Sequence, residues 1–208
     1  MRNQSEQEEF YNALTHGIGF LLSLVGFALL FVFTTYETTR GIVAITLYGL
    51  SLSILYFAST LYHFEKKELR KSFYRKLDHI SIYLLIAGTY SPVVLITLAD
   101  SKGWLLFWIV WGLAAIGTVL KIFFTGKFEI ASLILYLLMG WLIVFDFSNL
   151  KAAVDTTGLI LLMGGGAAYT IGIIFYIKDS IKFGHVIWHL FVLFGSVLHF
   201  LFIFLKVI

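Results

Sequence analysis

No cysteine occurs in the 208 residues, which excludes disulfides and thiolate metal ligands and leaves His, Asp and Glu as the side chains able to hold a transition metal. Charge is scarce as well. Asp, Glu, Lys and Arg make up 13% of the chain against 60% hydrophobic and 18% aromatic residues, and the mean hydropathy is +0.92. Residues in those proportions cannot cover a soluble domain with polar surface, so the chain is expected to be an integral membrane protein. The single proline, Pro92, and a set of long apolar runs argue against a membrane barrel, whose strands alternate apolar and polar residues in short segments. The expected fold class is an all-α integral membrane bundle. The sequence has neither a Gly-rich phosphate loop nor a basic surface suited to nucleic acid, and no nucleic-acid partner is expected.

Seven apolar segments are present, at about 14–35, 41–63, 78–98, 104–124, 129–147, 157–177 and 184–206. Each is close to the ~20 residues that cross a hydrocarbon core. They use the whole chain, 1–208, as one seven-helix membrane domain. Residues 1–12 are polar, and Ser5 and Glu8 have the spacing of a helix capping box, which predicts a short interfacial segment before the first span. No charged leader, short apolar core and small-residue cleavage site precede that span, so no removable signal peptide is expected. Glu37 and Arg40 mark a turn, Asp100 to Gly103 a tight one, and Ser148 to Thr156 a polar loop. Pro92 predicts a kink, because its ring removes a helical hydrogen bond. Gly164, Gly165 and Gly166 predict close approach of a neighbouring backbone.

The basic residues predict orientation. Eleven of them (Arg2, Lys66, Lys67, Arg70, Lys71, Arg75, Lys76, Lys121, Lys127, Lys178 and Lys182) fall on one side of the seven spans, and four (Arg40, Lys102, Lys151 and Lys206) on the other. By the positive-inside rule the amino terminus is cytoplasmic and the carboxy terminus outside. The charged stretch 66–76 then serves as a topology anchor, with binding of lipid headgroups as a secondary role.

His185 and His189 open the last span four residues apart, which on a helix puts both rings on one face, about 6 Å apart along the axis. Imidazoles entering a membrane are costly to bury, so such a pair needs a metal, a carboxylate or a water-filled cavity, unless both rings simply sit at the interface in ordinary hydrogen bonds. His63 closes the second span, and Asp78 opens the third. All four groups then lie within about two helical turns of the same membrane surface. Three histidines and a carboxylate at one depth meet the needs of a catalytic zinc site: three nitrogen ligands, an open position, and a carboxylate to orient water or take its proton. Ser59 lies one turn deeper than His63 on the same face, where its hydroxyl either supports the site or bonds its own helix backbone. The other polar groups are expected to be structural. His79 points about 100° away from Asp78 around the helix, His16 enters the first span beside Gly17, and His199 is too deep to join. Glu129 suits a helix amino terminus, and Asp146 and Asp155 are expected in loops.

Ser59-x-x-x-His63, Leu77-Asp78 at the start of the next span, and His185-x-x-x-His189 at the start of the last resemble the signature of haemolysin III proteins and of the progestin and adipoQ receptor family. Asn12 followed by Thr15-His16-Gly17 resembles the haemolysin III branch in particular. The resemblance extends along the whole chain. It implies a seven-helix bundle with a cytoplasmic amino terminus, zinc held by His63, His185 and His189, Asp78 contacting the water on the metal, and Ser59 at the edge of the site. It also implies ceramidase-like chemistry, an activity attributed to some members. No extended amino-terminal domain precedes the first span, which argues against hormone reception.

Three functions fit these expectations. The leading one is a zinc-dependent hydrolase of an amide or ester bond in a membrane lipid, in the plasma membrane, with lipids as both surroundings and substrate. The second is a receptor or membrane-homeostasis sensor with structural zinc, which would need Asp78 bound directly to the metal. The third is a pore-forming haemolysin. Against it, no charged ring or polar stripe runs the length of any span.

Overall fold

In a bilayer every backbone polar group must be satisfied within the protein, and among the described residues the chain meets that demand with helices alone. A computed structural model of the chain describes residues 4–35, 38–178 and 180–208; Arg2, Glu37 and Asp179 lie outside the described residues. Among the described residues, seven spans are long and apolar enough to cross a membrane. They are built from α1 (Glu6–Phe33), α2 (Thr39–Phe64), α3 (Glu68–Pro92, extended by a π turn over Val93–Thr97), α4 (Gly103–Phe124), α5 (Glu129–Gly140, joined by a 3₁₀ turn over Leu142–Asp146 to α6, Phe147–Ala153), α7 (Thr156–Ile177) and α8 (Gly184–Lys206). The spans of α2 and α3 are the most buried and form the centre. α1 packs on α2, α4 on α3, and α8 between α1 and α7, while α5 lies lightly against α3, α4 and α7.

The amino-terminal segment is not a separate interfacial helix. Ser5 caps α1, its hydroxyl accepting from the Glu8 backbone while the Glu8 carboxylate accepts from the Ser5 N–H, and the helix then runs unbroken through the first span. α3 likewise takes up most of the charged stretch, because its Glu, Leu, Arg and Lys residues are good helix formers and nothing interrupts them. Arg40 belongs to the first turn of α2, which Thr38 caps, and does not mark a turn.

Irregular backbone appears at two places inside the bundle. At Pro92 the missing N–H loosens the ladder, and the helix widens into the π turn, where Leu98 N–H donates to Val93 C=O at 2.9 Å. In the fifth span the helix breaks at Trp141, and Tyr90 stitches the break to α3: its hydroxyl donates to Gly140 C=O and accepts from Ile143 N–H. The expected loop from 148 to 156 is mostly helix, since α6 continues to Ala153 and only two residues separate it from α7. Asp146 is buried and capped by Ser101, Lys102 N–H and Asn149. Asp155 caps α7, and the Lys206 ammonium that donates to it holds its carboxyl below the usual carboxylate range. Gly165 admits a side chain and not a backbone, because the ring of His199 occupies the space where a Cβ would sit.

Gly88 lets α3 lie directly on α2. A Cβ there would fall 1.9 Å from Ser51 Oγ and 2.9 Å from the Leu47 carbonyl oxygen, and that carbonyl cannot move without the helix. Gly88→Ala should therefore destabilise the protein by about 1–3 kcal/mol, as overpacking does. Gly112 faces open space, so Gly112→Ala should be neutral or slightly stabilising. Thermal denaturation of the two purified variants in one detergent checks the contrast.

Candidate metal centre

Two helices supply the side chains of the centre. His63 comes from the last turn of α2, and His185 and His189 from the first two turns of α8. One nitrogen from each of the three rings lies within 4.8 Å of the others, and among the described residues this is the group of side chains arranged to hold a metal ion. Ring centroids are 5.1 Å apart for His63 and His185, 4.9 Å for His63 and His189, and 4.7 Å for His185 and His189, all at steep interplanar angles. The rings are thus tilted against one another, edge-on for His63 and His189, and none of the three pairs stacks.

Hydrogen bonds orient the ligands. Glu9 Oε2 lies 2.6 Å from His63 Nδ1, where a carboxylate oxygen accepts a hydrogen bond from a protonated Nδ1 and the lone pair then falls on Nε2. His189 Nδ1 faces Asn12 C=O at 3.3 Å and Thr15 Oγ at 3.4 Å, which again turns Nε2 inward. His63 Nε2 and His185 Nε2 are buried and have no hydrogen-bond partner within the protein. Two orphaned imidazole nitrogens pointing into one cluster fit a metal, which would satisfy both. An all-imidazole donor set suits zinc, copper, iron or nickel and disfavours magnesium or calcium.

Asp78 and Ser59 lie together beside this cluster. The Ser59 hydroxyl faces the Asp78 carboxylate across the α2–α3 contact, though not in full hydrogen-bond geometry, so its oxygen remains buried and unpaired. Ser59 stands one turn below His63, and Asp78 opens the membrane part of α3. Asp78 is not one of the groups converging on the metal position.

Several residues have roles the spacing did not give. His16 is buried and stacked on His189 at 3.5 Å and 11°, with neither of its nitrogens bonded. Glu8 reaches the start of α8, its Oε1 accepting from Phe183 N–H at 2.9 Å. His79 and Glu129 form a second cluster: Glu129 accepts from the buried Lys121 ammonium at 2.8 Å and lies 3.6 Å from both Arg75 and His79. Lys121 is therefore an internal ion-pair partner as well as one of the basic residues at this end of the bundle. His199 stands apart from the centre, donating from Nε2 to Leu162 C=O.

The sequence matches the model of a family described as haemolysin-III related over residues 4–200. It is 43% identical to Hemolysin-3 of Bacillus cereus over 198 residues, covering 95% of this chain and 90% of that protein. Against the Hemolysin-3 homolog of Bacillus subtilis (strain 168) the identity is 44% over 191 residues, covering 91% of this chain and 90% of that protein. The human monocyte to macrophage differentiation factor is similar at 31% identity over 202 residues, 93% of this chain and 82% of that protein.

Proposed function

The chain belongs to the haemolysin III-related family, within the progestin and adipoQ receptor superfamily, and from that premise we propose that it is a zinc-dependent hydrolase of an amide or ester bond in a membrane lipid. His63, His185 and His189 would hold the zinc. The observation that carries the lipid assignment is an apolar cavity that begins about one helical turn deeper in the bundle than the centre. A cavity of about 120 Å³ runs between α2, α3, α5, α7 and α8, lined by Leu55, Ile82, Tyr136, Trp188 and Val192 among others. Leu55 is one turn from Ser59, Ile82 one turn from Asp78, and Trp188 and Val192 flank His189. Its walls are largely apolar, and although neither the three histidines nor Asp78 nor Ser59 lines it, an acyl chain resting there would have its carbonyl head on the side of the histidines.

Zinc, when bound, supplies Lewis acidity that polarises a carbonyl and makes water a nucleophile near neutral pH. The residues of the chain do the rest. Asp78 takes the proton from the attacking water on a carboxylate oxygen and passes it to the leaving group. Ser59, facing Asp78, donates its hydroxyl to the substrate carbonyl or holds the carboxylate in place. Burial of His63 and His189 keeps bulk water away from the reacting bond. Hydrolysis of a fluorescent ceramide or acyl-lipid analogue by purified, zinc-loaded protein tests this function; a fully loaded protein inert on a broad lipid panel would overturn it.

We further propose that the centre faces the cytoplasm and that the protein resides in the plasma membrane. Lys71, Arg75, Lys121 and Lys182 gather at the end of the bundle that carries the histidines, while Lys102 and Lys206 mark the other end. A phosphatase reporter fused to the carboxy terminus should be active only when that end is exported. Activity of a cytoplasm-only reporter at the same position would reverse the orientation and move the centre to the outer leaflet.

A further inference from the structure

Resting on the zinc assignment above, we propose that Glu9 is a positioning residue of the metal centre: it fixes His63 as the Nδ1–H tautomer, so that Nε2 is presented to the metal together with His185 and His189. α1 supplies no ligand, yet its first turns touch two of the three ligating rings and the start of α8. Glu9 Oε2 takes His63 Nδ1, Asn12 C=O and Thr15 Oγ face His189 Nδ1, and Glu8 Oε1 takes the N–H of Phe183. Phe183 is the cap from which α8 starts, and it stands in the left-handed region at φ 58, where a bulky side chain rarely sits. Glu8 and Glu9, Asn12, and Thr15 and His16 recur at three- and four-residue spacing, so one face of α1 carries all these contacts.

The chemistry at Glu9 is directional. A neutral imidazole has one donor and one acceptor nitrogen, and an ionised carboxylate only accepts. With Glu9 at 2.6 Å, the proton belongs on Nδ1, and Nε2, the atom left buried without a partner, carries the lone pair. Glu9 is itself held. Its other oxygen accepts from Lys71 Nζ at 2.7 Å, and Lys71 lies over the Tyr62 ring at 5.3 Å from its centroid. Both carboxylate oxygens are thus engaged, and rotation about the terminal bond would break two contacts together. A carboxylate behind a ligating histidine also increases its basicity toward the metal.

The test uses the full chain purified in detergent, with zinc affinity measured by competition against a chelator of known strength. Glu9→Ala is expected to weaken zinc binding about 10–100-fold, the range seen when such a supporting partner is lost. Glu9→Gln, which can still accept the Nδ1 proton but carries no charge, should lie between the alanine variant and wild type, whereas Glu129→Gln should bind as wild type does. If Glu9→Ala does not fold, Glu9→Gln and Lys71→Met take its place, both weakening zinc and the second less than the first. Nitrogen-15 NMR of the zinc-free protein gives a readout independent of the metal: His63 should be the Nδ1–H tautomer in wild type and shift toward Nε2–H when residue 9 cannot accept. Wild-type zinc affinity in the Glu9 variants, with zinc lost in His63→Ala, would overturn the role of Glu9 and leave the zinc assignment standing. Zinc retained in His63→Ala would instead remove the zinc assignment, and an Nε2–H tautomer in the zinc-free wild type would overturn the role of Glu9 on its own.

Discussion

Alanine at position 63 should empty the metal centre. Purified wild-type protein is expected to carry one zinc per chain by elemental analysis, and His63→Ala little or none, with His189→Ala behaving alike. Losing one of three nitrogen ligands removes a direct bond, so the effect should exceed the ~10–100-fold typical of losing an outer partner. The loss also has a thermal signature. A ligand that binds only the folded state stabilises it by RT ln(1 + [L]/Kd), about 2.7 kcal/mol at a hundredfold excess over Kd, and because this one ties α2 to α8, that increment should vanish in the variant. The informative quantity is the zinc-dependent rise in melting temperature. Zinc-free wild type already buries His63 Nε2 without a partner, so the zinc-free alanine variant need not be less stable. His199→Ala is the control: it should lose the packing against Gly165 and the bond to Leu162 but keep its zinc. Full zinc content in His63→Ala would dismiss the assignment.

The seven spans were legible because the bilayer imposes a length and a polarity that composition displays directly. What the hydropathy pattern could not display was where helix continues past the apolar segment. α1 begins at Glu6 and α3 at Glu68, in stretches whose polarity suggests interface or loop but whose residues favour helix, and α6 occupies most of a segment that reads as a polar connection. Hydropathy marks the membrane; capping and propensity mark the helix. Likewise Pro92 announced a departure from regular helix, but the π turn that follows depends on how the bundle accommodates the freed carbonyl. The 3₁₀ break at Trp141 had no proline to signal it.

The candidate metal centre was legible to the extent that depth could be inferred. His63, His185 and His189 fall at one depth in any seven-span arrangement, and the structure brings their nitrogens together. The residues that orient them were not legible, because Glu8 and Glu9 belong to a polar segment whose continuity with the first span was not foreseen. Once α1 is extended back to Glu6, Glu9 falls two turns from His16 on a helix that faces α2 and α8. His16 was placed at the right depth but without its stacking on His189, since depth says nothing about rotation. The Glu129 cluster was missed for the same reason: Lys121 counted as a surface charge, and only the packing of α4 on α3 turns it inward.

Asp78→Asn should separate chemistry from metal binding. Asn has nearly the same shape as Asp, so packing beside Ser59 is retained, but the amide has no carboxylate oxygen to take a proton. The three histidines converge without Asp78, and metal content should therefore stay close to wild type. Turnover should not. A general base typically contributes ~10²–10⁴-fold, and hydrolysis of an acyl-lipid analogue should fall by about that factor, mostly in kcat, because substrate binding in the apolar cavity does not involve the carboxylate. Ser59→Ala should cost less, since losing a hydroxyl that donates to the carbonyl or steadies the carboxylate leaves the base itself in place. The balance of the two measurements identifies the role of the carboxylate. Zinc kept and turnover lost makes Asp78 the base; zinc lost with turnover makes it a ligand, which would close the open position that hydrolysis needs and favour a structural zinc in a sensor.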